Sequence, residues 1–268
     1  GFNVSTILSR LSLPTTALGF IAGFTGKEIE SQLKQRGFQC DLCQLDQGIS
    51  RINVKMKSQK ETEINGSGPA IPQDKLAELY QKLDQLKPGD SLVLAGSIPS
   101  SLPNTIYEDI MKKLEGQDIR IVVDATNDLL KKVLPYHPFL IKPNHRELEE
   151  LFDTQIDSEE SLVYYAKQLQ QQGAMNVLVS LGKDGALLVS EDQHVYYCAG
   201  AKGKLLNSVG SGDSMVAGFL AGYLKHHDYS EALKLGSACG GATAFSEDLA
   251  QADLINEVYQ QLQVKKHS

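Results

Sequence analysis

A chain of 268 residues with a formal net charge of −7 lacks the basic excess of a nucleic-acid groove and points to small-molecule work. Hydrophobic residues at 41% and charged residues at 22% fit a globular fold with a substantial core and exclude a disordered or fibrous chain. No apolar run approaches the ~20 residues that span a bilayer, so no membrane partner is expected.

In chain order, residues 3–11 place Val4, Ile7, Leu8 and Leu11 at helical spacing. Residues 16–20 are a short apolar strand candidate, and Gly23-Phe24-Thr25-Gly26 reads as a Gly-rich turn before a helix over 27–36. The turn is not a Walker A loop, because Ile21 and Glu28 stand where that motif needs Gly and Ser or Thr. Cys40 and Cys43 form a C-x-x-C pair with no second ligand pair, and Cys198 and Cys239 are isolated. Reduced strand thiols, and so the cytoplasm, are the expected reading.

From residue 38 to 64 the period changes to two. Arg51, Asn53, Lys55 and Lys57 alternate with Ile52, Val54 and Met56, and Thr62-Glu63-Ile64 follows the turn-like Ser58-Gln59-Lys60 and Glu61. The pattern predicts an antiparallel ribbon with a polar face. It divides the chain into a small β lid over 38–66 and an α/β body over 1–37 and 67–268.

Beyond residue 74 the pattern alternates helix and strand. Helices are expected over 74–86, 105–114, 146–152 and 159–171, and strands over 91–94, 119–123, 139–141 and 176–179. A hairpin is expected over 184–197 and helices over 213–225, 230–245 and 253–262. Continuous apolar strands between amphipathic helices indicate a parallel sheet covered on both faces. Each strand ends in polar residues: Gly96-Ser97, Asp124-Ala125-Thr126, Lys142-Pro143-Asn144 and Ser180-Leu181-Gly182. In an open parallel sheet that end is where ligands bind.

The stretch that gives these strand ends a purpose is Asn207-Ser208-Val209-Gly210-Ser211-Gly212-Asp213. Glycines before a helix leave amides uncovered where the dipole favours an anion, which suits a transferring phosphoryl group. Asp213 beside them could take a proton from an attacking hydroxyl. An isolated G-S-G-D is ordinary turn chemistry, and its weight comes from the strand ends that precede it. It is not a dinucleotide fingerprint, since Met215 occupies the third glycine position.

Val209-Gly210-Ser211-Gly212-Asp213-Ser214-Met215-Val216-Ala217-Gly218 resembles the G-A-G-D signature of the ribokinase-like, phosphofructokinase-B sugar kinases, with Ser for Ala. Lys142-Pro143-Asn144-His145-Arg146-Glu147-Leu148 and Ser180-Leu181-Gly182-Lys183-Asp184-Gly185-Ala186 extend the resemblance over nearly the whole chain. It implies an α/β fold with a mostly parallel central sheet, helices on both faces and a small β lid. Ser50-Arg51-Ile52-Asn53-Val54-Lys55 and Ala244-Phe245-Ser246-Glu247-Asp248 look like the members that phosphorylate fructose 1-phosphate to fructose 1,6-bisphosphate, with tagatose 6-phosphate as the alternative substrate.

The resemblance further implies Asp213 as base, with the amides of Gly210, Ser211 and Gly212 as the anion hole. Asn3, Arg51, Asn53 and Ser97 would hold the sugar phosphate. Lys142, Asn144, Ser180, Gly182 and Gly185 would line ATP, and Ser208, Gly240 and Ser246 would complete the nucleotide pocket beside a site for K⁺. Glu147 would organise Mg²⁺ through water. A homodimer through the lid is the implied assembly. A non-catalytic sugar-phosphate sensor is the rival class, and retention of Asp213, Glu147 and Lys142 together speaks against it. Family members carry a strand and a Gly-rich loop ahead of the position of Gly1, so further chain upstream is expected.

Overall fold

The computed structural model describes residues 1–56, 62–96 and 98–267. The chain forms two compact units, one of residues 1–14, 87–96 and 107–268, the other of residues 15–86 and 97–106. Elements are numbered through the chain.

The larger unit is built on a seven-stranded sheet. Four strands, β5 (Ser91–Ala95), β6 (Arg120–Asp124), β7 (Leu140–Ile141) and β8 (Asn176–Ser180), run parallel, as expected of apolar strands joined by helices. Beyond β8 the sheet turns antiparallel through β9 (Gly185–Val189), β10 (Val195–Ala199) and β11 (Val264–His267). Alternate strand residues point to opposite faces. Val122, Leu140, Leu178, Leu188, Tyr196 and Cys198 join the core made with α1 (Phe2–Arg10), α8 (Ser211–His226), α9 (Tyr229–Ala244) and α10 (Ala252–Gln261). Val123, Ile141, Val177, Val179 and Leu187 are buried on the opposite parity. There α6 (His145–Phe152) and α7 (Glu159–Gln171) lie against β8, and α7 also lies against β9.

Helix α8 packs close on α9 because Gly218 and Gly222 bring the backbones together: a Cβ at Gly218 would stand 2.5 Å from the Leu235 carbonyl oxygen. Two elements beyond the expected set are present. After α4 (Ile106–Leu114), the helix expected over 105–114, residues to which no element was assigned form α5 (Asn127–Val133), followed by a 3-10 turn over Leu134–Tyr136. The chain ends in β11, whose polar sequence Val264-Lys265-Lys266-His267 carries no apolar alternation because it lies at the sheet edge. No helix of the described residues is long and apolar enough to cross a membrane.

In the smaller unit, β1 (Thr16–Ala22) and β2 (Gln39–Leu45) form a parallel pair joined by α2 (Gly23–Gln35). This corrects two expectations. The Gly-rich segment 23–26 is the first turn of α2, and residues 39–45 belong to a β-α-β unit. The helix needs its glycines for contact: a Cβ at Gly23 would be 2.6 Å from the Gly48 carbonyl oxygen, and one at Gly26 would touch Ile21. Ser50 Oγ accepts the Ala22 N–H at 3.0 Å, closing that joint. A parallel pair needs a long crossover, which α2 supplies. The expected boundary at residue 38 therefore cuts through a folded unit, and the observed division places residues 15–86 together.

The antiparallel ribbon is confined to β3 (Asn53–Met56) and β4 (Thr62–Asn65). Residues 57–61, including the turn Ser58-Gln59-Lys60, lie outside the described residues. Ala22, Leu45 and Ile71 form the small core of this unit, with Phe20 and Leu102 against them. Helix α3 (Gln73–Leu83) sends Lys82 to the Asp41 carboxylate on β2. All four cysteines are free; Cys43 is buried, and burial pushes its thiol up to about 11, as a structural strand thiol requires.

Candidate active site

The N-terminus of α8 is a backbone device before it is a chemical one. Gly210 is its N-cap, with φ +82°. A side chain there would be strained, and its Cβ would stand 2.7 Å from Leu249 Cδ2. Asn207 fixes the approach: its Oδ1 accepts the Val209 N–H at 3.2 Å and its Nδ2 donates to the Glu247 carbonyl at 2.9 Å. The backbone N–H groups of residues 206 and 207 both donate to the Ala244 carbonyl.

Of the three amides expected in an anion hole, one is committed elsewhere. The Ser211 N–H donates to the Ser208 carbonyl at 3.2 Å. The outward donors are those that follow, Gly212 and Asp213, in the first helical turn where no earlier helical carbonyl can reach them. Asp213 is the third helical residue and not the cap, a position where a carboxylate still gains from the dipole. The buried Ser211 Oγ has no hydrogen-bond partner among the described residues, so an acceptor brought by a ligand would satisfy it.

Two side chains converge on this turn. Asn3, from α1, donates through Nδ2 to Asp213 Oδ2 at 2.9 Å. The sequence reading gives Asn3 to the sugar; its side-chain amide also reaches the Asp213 carboxylate. The buried Lys142 ends β7 with its ammonium at the other side: a Cβ on Gly212 would be 3.1 Å from Lys142 Nζ. A side chain there would require the ammonium to give by a few tenths of an ångström.

Lys142 Nζ is held by Asp124 Oδ1 at 3.3 Å, a pairing to which sequence reasoning assigned no role. Asp124 ends β6, the strand beside β7, so its place among the strand-end residues was the available signal. Burial raises the Asp124 carboxyl above its usual range; Lys142 opposes the shift and the Asp213 charge adds to it. Beside it, burial lifts the Tyr107 phenol to about 12, and its OH donates to the Gly96 carbonyl at 3.0 Å.

Asn144 and Glu147 form a capping box on α6: Asn144 Oδ1 accepts the Glu147 N–H at 2.9 Å and Glu147 Oε2 accepts the Asn144 N–H at 2.8 Å. Asn144 bridges in parallel to Ser180, whose N–H donates to the Pro143 carbonyl at 3.1 Å. Lys142, Asn144 and Ser180 thus lie together at the C-terminal ends of the neighbouring strands β7 and β8. Gly182 and Gly185 flank the turn after β8, both at positive φ; a Cβ on Gly185 would be 2.0 Å from the Cys198 carbonyl oxygen.

Ser208 accepts from Ser211, and Gly240 packs on the Ser211 backbone, where a Cβ would lie 3.2 Å from its carbonyl oxygen. Ser246 Oγ donates to the Ala242 carbonyl at 2.9 Å. Arg51 and Asn53 belong to the smaller unit, Asn53 on β3 opposite Asn65 and Arg51 exposed just before it. Ser97 lies outside the described residues.

A strand-end lysine, a Gly-rich helix start and an oriented carboxylate on a doubly covered sheet define a phosphotransferase of the sugar kinase kind. The family of pfkB carbohydrate kinases matches residues 1–254, and the chain belongs to it. It is 45% identical over 266 residues to a 1-phosphofructokinase of Bacillus subtilis, covering 99% of this chain and 87% of the relative. A D-tagatose-1-phosphate kinase of Bacillus licheniformis is 37% identical over 265 residues, with 98% and 86% covered. A crystal structure of a candidate phosphofructokinase of Staphylococcus aureus superimposes with a TM-score of 0.91 at 40% identity, over 99% of this chain and 86% of that one. The ribokinase-like fold and the kinase class expected from the motifs are therefore those of this protein.

Proposed function

We propose that the chain transfers the terminal phosphoryl group of ATP to the free primary hydroxyl of fructose 1-phosphate, giving fructose 1,6-bisphosphate and ADP. The observation that carries this is the Asp213 carboxylate, oriented by Asn3 beside the Gly212 amide and the Lys142 ammonium. Asp213 takes the hydroxyl proton as the oxygen attacks. The amides of Gly212 and Asp213, with Lys142, stabilise charge on the transferring group, and positioning does most of the rest. Asp124 keeps Lys142 over the glycine.

ATP fits the residues present, because the unpartnered Ser211 Oγ and the first-turn amides offer donors to phosphate oxygens. Mg²⁺ bound with the nucleotide would neutralise phosphate charge. A cation of this kind is held largely by phosphates and water. Glu147 keeps one carboxylate oxygen on the Asn144 N–H, and its Oε1 would reach the ion through water.

Arg51 would bind the phosphate already on the sugar, as a planar guanidinium suits that anion. The 1-phosphate is favoured by the 45% relative. The tagatose enzyme reported above also takes a 1-phosphate, so the competing substrate is tagatose 1-phosphate, which differs from fructose 1-phosphate at C4 alone. ADP release measured with fructose 1-phosphate, tagatose 1-phosphate, tagatose 6-phosphate and fructose separates the readings. The highest kcat/KM is expected for fructose 1-phosphate and none for fructose; a preference for either tagatose ester would overturn the substrate and leave the kinase. The same reading includes action in the cytoplasm, where ATP is supplied, and a second copy of the chain covering the apolar side of the β3–β4 ribbon.

A further inference from the structure

We infer that Ser214 and Thr243 form a buried hydroxyl relay that sets the Gly210 carbonyl and, through it, the amides of the first turn of α8. Both are then positioning residues for phosphoryl transfer, an inference that rests on the function proposed above. Both residues have 0% exposure. The Ala250 N–H donates to Thr243 Oγ1 at 3.2 Å, Thr243 Oγ1 donates to Ser214 Oγ at 2.8 Å, and Ser214 Oγ donates to the Gly210 carbonyl at 2.8 Å. The relay has one direction. Each hydroxyl has a single proton, and the chain begins at an amide and ends at a carbonyl.

The Gly210 carbonyl also accepts the Ser214 N–H at 2.8 Å, so two donors from one residue hold it. That carbonyl shares a rigid peptide plane with the Ser211 N–H, which it turns toward the Ser208 carbonyl. Fixing this plane aims the next two amides, of Gly212 and Asp213, outward. The far end of the relay is anchored as well. Arg10 donates to the Leu249 and Ala250 carbonyls, and the Leu249 side chain is what a Cβ at Gly210 would strike. Packing alone does not require hydroxyls here. Apolar groups of the same shape would fill the same space at little cost, but would not set the plane of a left-handed glycine.

The test compares wild type with Thr243→Val, Ser214→Ala, the double variant and Thr243→Ser. It measures kcat, both KM values, and hydrogen exchange of the backbone over residues 207–216 and 229–240. Each of the first two variants should lose roughly 10- to 100-fold in kcat with KM for the sugar phosphate unchanged, the scale of a misplaced reacting group. The double variant should match the singles, because they interrupt one relay, and Thr243→Ser should restore the rate. Exchange should quicken over 207–216 and stay unchanged over 229–240. Normal kcat in both singles, additive losses in the double, or no recovery in Thr243→Ser would overturn the relay. Should the wild type phosphorylate no ketohexose phosphate, the proposed function falls while exchange still decides the relay: quicker exchange over 207–216 upholds it and unchanged exchange overturns it.

Discussion

The start of α8 and the β3–β4 ribbon are both short, polar and close to glycine, yet they are held by opposite means. At α8 the turn is fixed by hydrogen bonds from Asn207, Ser208 and Ser214, and the carboxylate by Asn3. The ribbon is a two-stranded sheet of four residues a side, with Ile52, Val54, Met56 and Ile64 exposed. Such a ribbon is marginal alone. The contrast is between a turn fixed from several sides and a strand pair with little to hold it; in the function proposed above, the first would hold the transferred group and the second the sugar phosphate.

The largest effect expected on the braced side is at Asp213. Asp213→Asn should lower kcat by roughly 10²–10⁴-fold with little change in either KM. The amide can still accept from Asn3, and the helix loses only a first-turn charge, so the midpoint of thermal unfolding should shift little. Steady-state kinetics beside a melting curve decide between base and structural residue: near-normal turnover would make Asp213 a first-turn carboxylate and nothing more.

Lys142→Met tests the same side through stability. It leaves the partly buried Asp124 without its partner, at a cost of about 1–3 kcal/mol near neutral pH. The Asp124 carboxyl is already raised by burial against the pull of Lys142, and losing the lysine lifts it further. A carboxyl raised in the folded state contributes its stability below the unfolded pKa, and that contribution is lost as pH rises through the folded value. The variant should therefore be closer to wild type at pH 5 than at pH 8 in urea unfolding. Adding Asp124→Asn should flatten that difference; a gap independent of pH would mean the pair is not what Lys142 stabilises.

On the open side, Arg51→Ala should weaken the sugar phosphate by about 1.5–3 kcal/mol, the worth of charge-assisted hydrogen bonds. Read as KM or as binding by calorimetry, that is a rise of roughly 10- to 100-fold, with ATP unaffected. A larger change for ATP than for the sugar would remove Arg51 from the phosphate.

The two regions also differ in how far they could be read from sequence. Around α8 nearly everything is local: Gly210, Gly212 and Asp213 are consecutive with the helix they start, and the K-P-N-x-x-E spacing is the capping box itself. What escaped there depends on distant residues. Asn3 is 210 positions from Asp213, and Asp124 meets Lys142 only because β6 and β7 are neighbours. The commitment of the Ser211 amide is a matter of φ and ψ that no residue type announces. In residues 15–86 period two exposed the ribbon, but β2 resembled more of it until its pairing with β1 was seen. Helix α5 was missed because seven residues give too few turns for a periodic signal.

The smallest effect on the fold is expected where the ribbon is most exposed. Val54 and Ile64 face each other across β3 and β4, at 45% and 56% exposure. Ile52 and Met56 share the parity of Val54, so one face of the ribbon is an apolar strip, while Arg51 and Asn53 take the other parity. An apolar strip on a marginal ribbon costs solubility unless something covers it. In the function proposed above a second copy of the chain is that cover, and the polar parity would be left for substrate. Val54 is already half exposed, so Val54→Lys should move the melting midpoint by no more than a surface substitution does, within about ±0.5 kcal/mol. Sedimentation should nevertheless show a shift toward monomer, since the lysine would place two like charges in the seam. Arg51 would then work on a less ordered ribbon, and KM for the sugar phosphate should rise modestly while kcat at saturation holds. An assembly state unchanged by Val54→Lys would return the strip to solvent and overturn the proposed assembly.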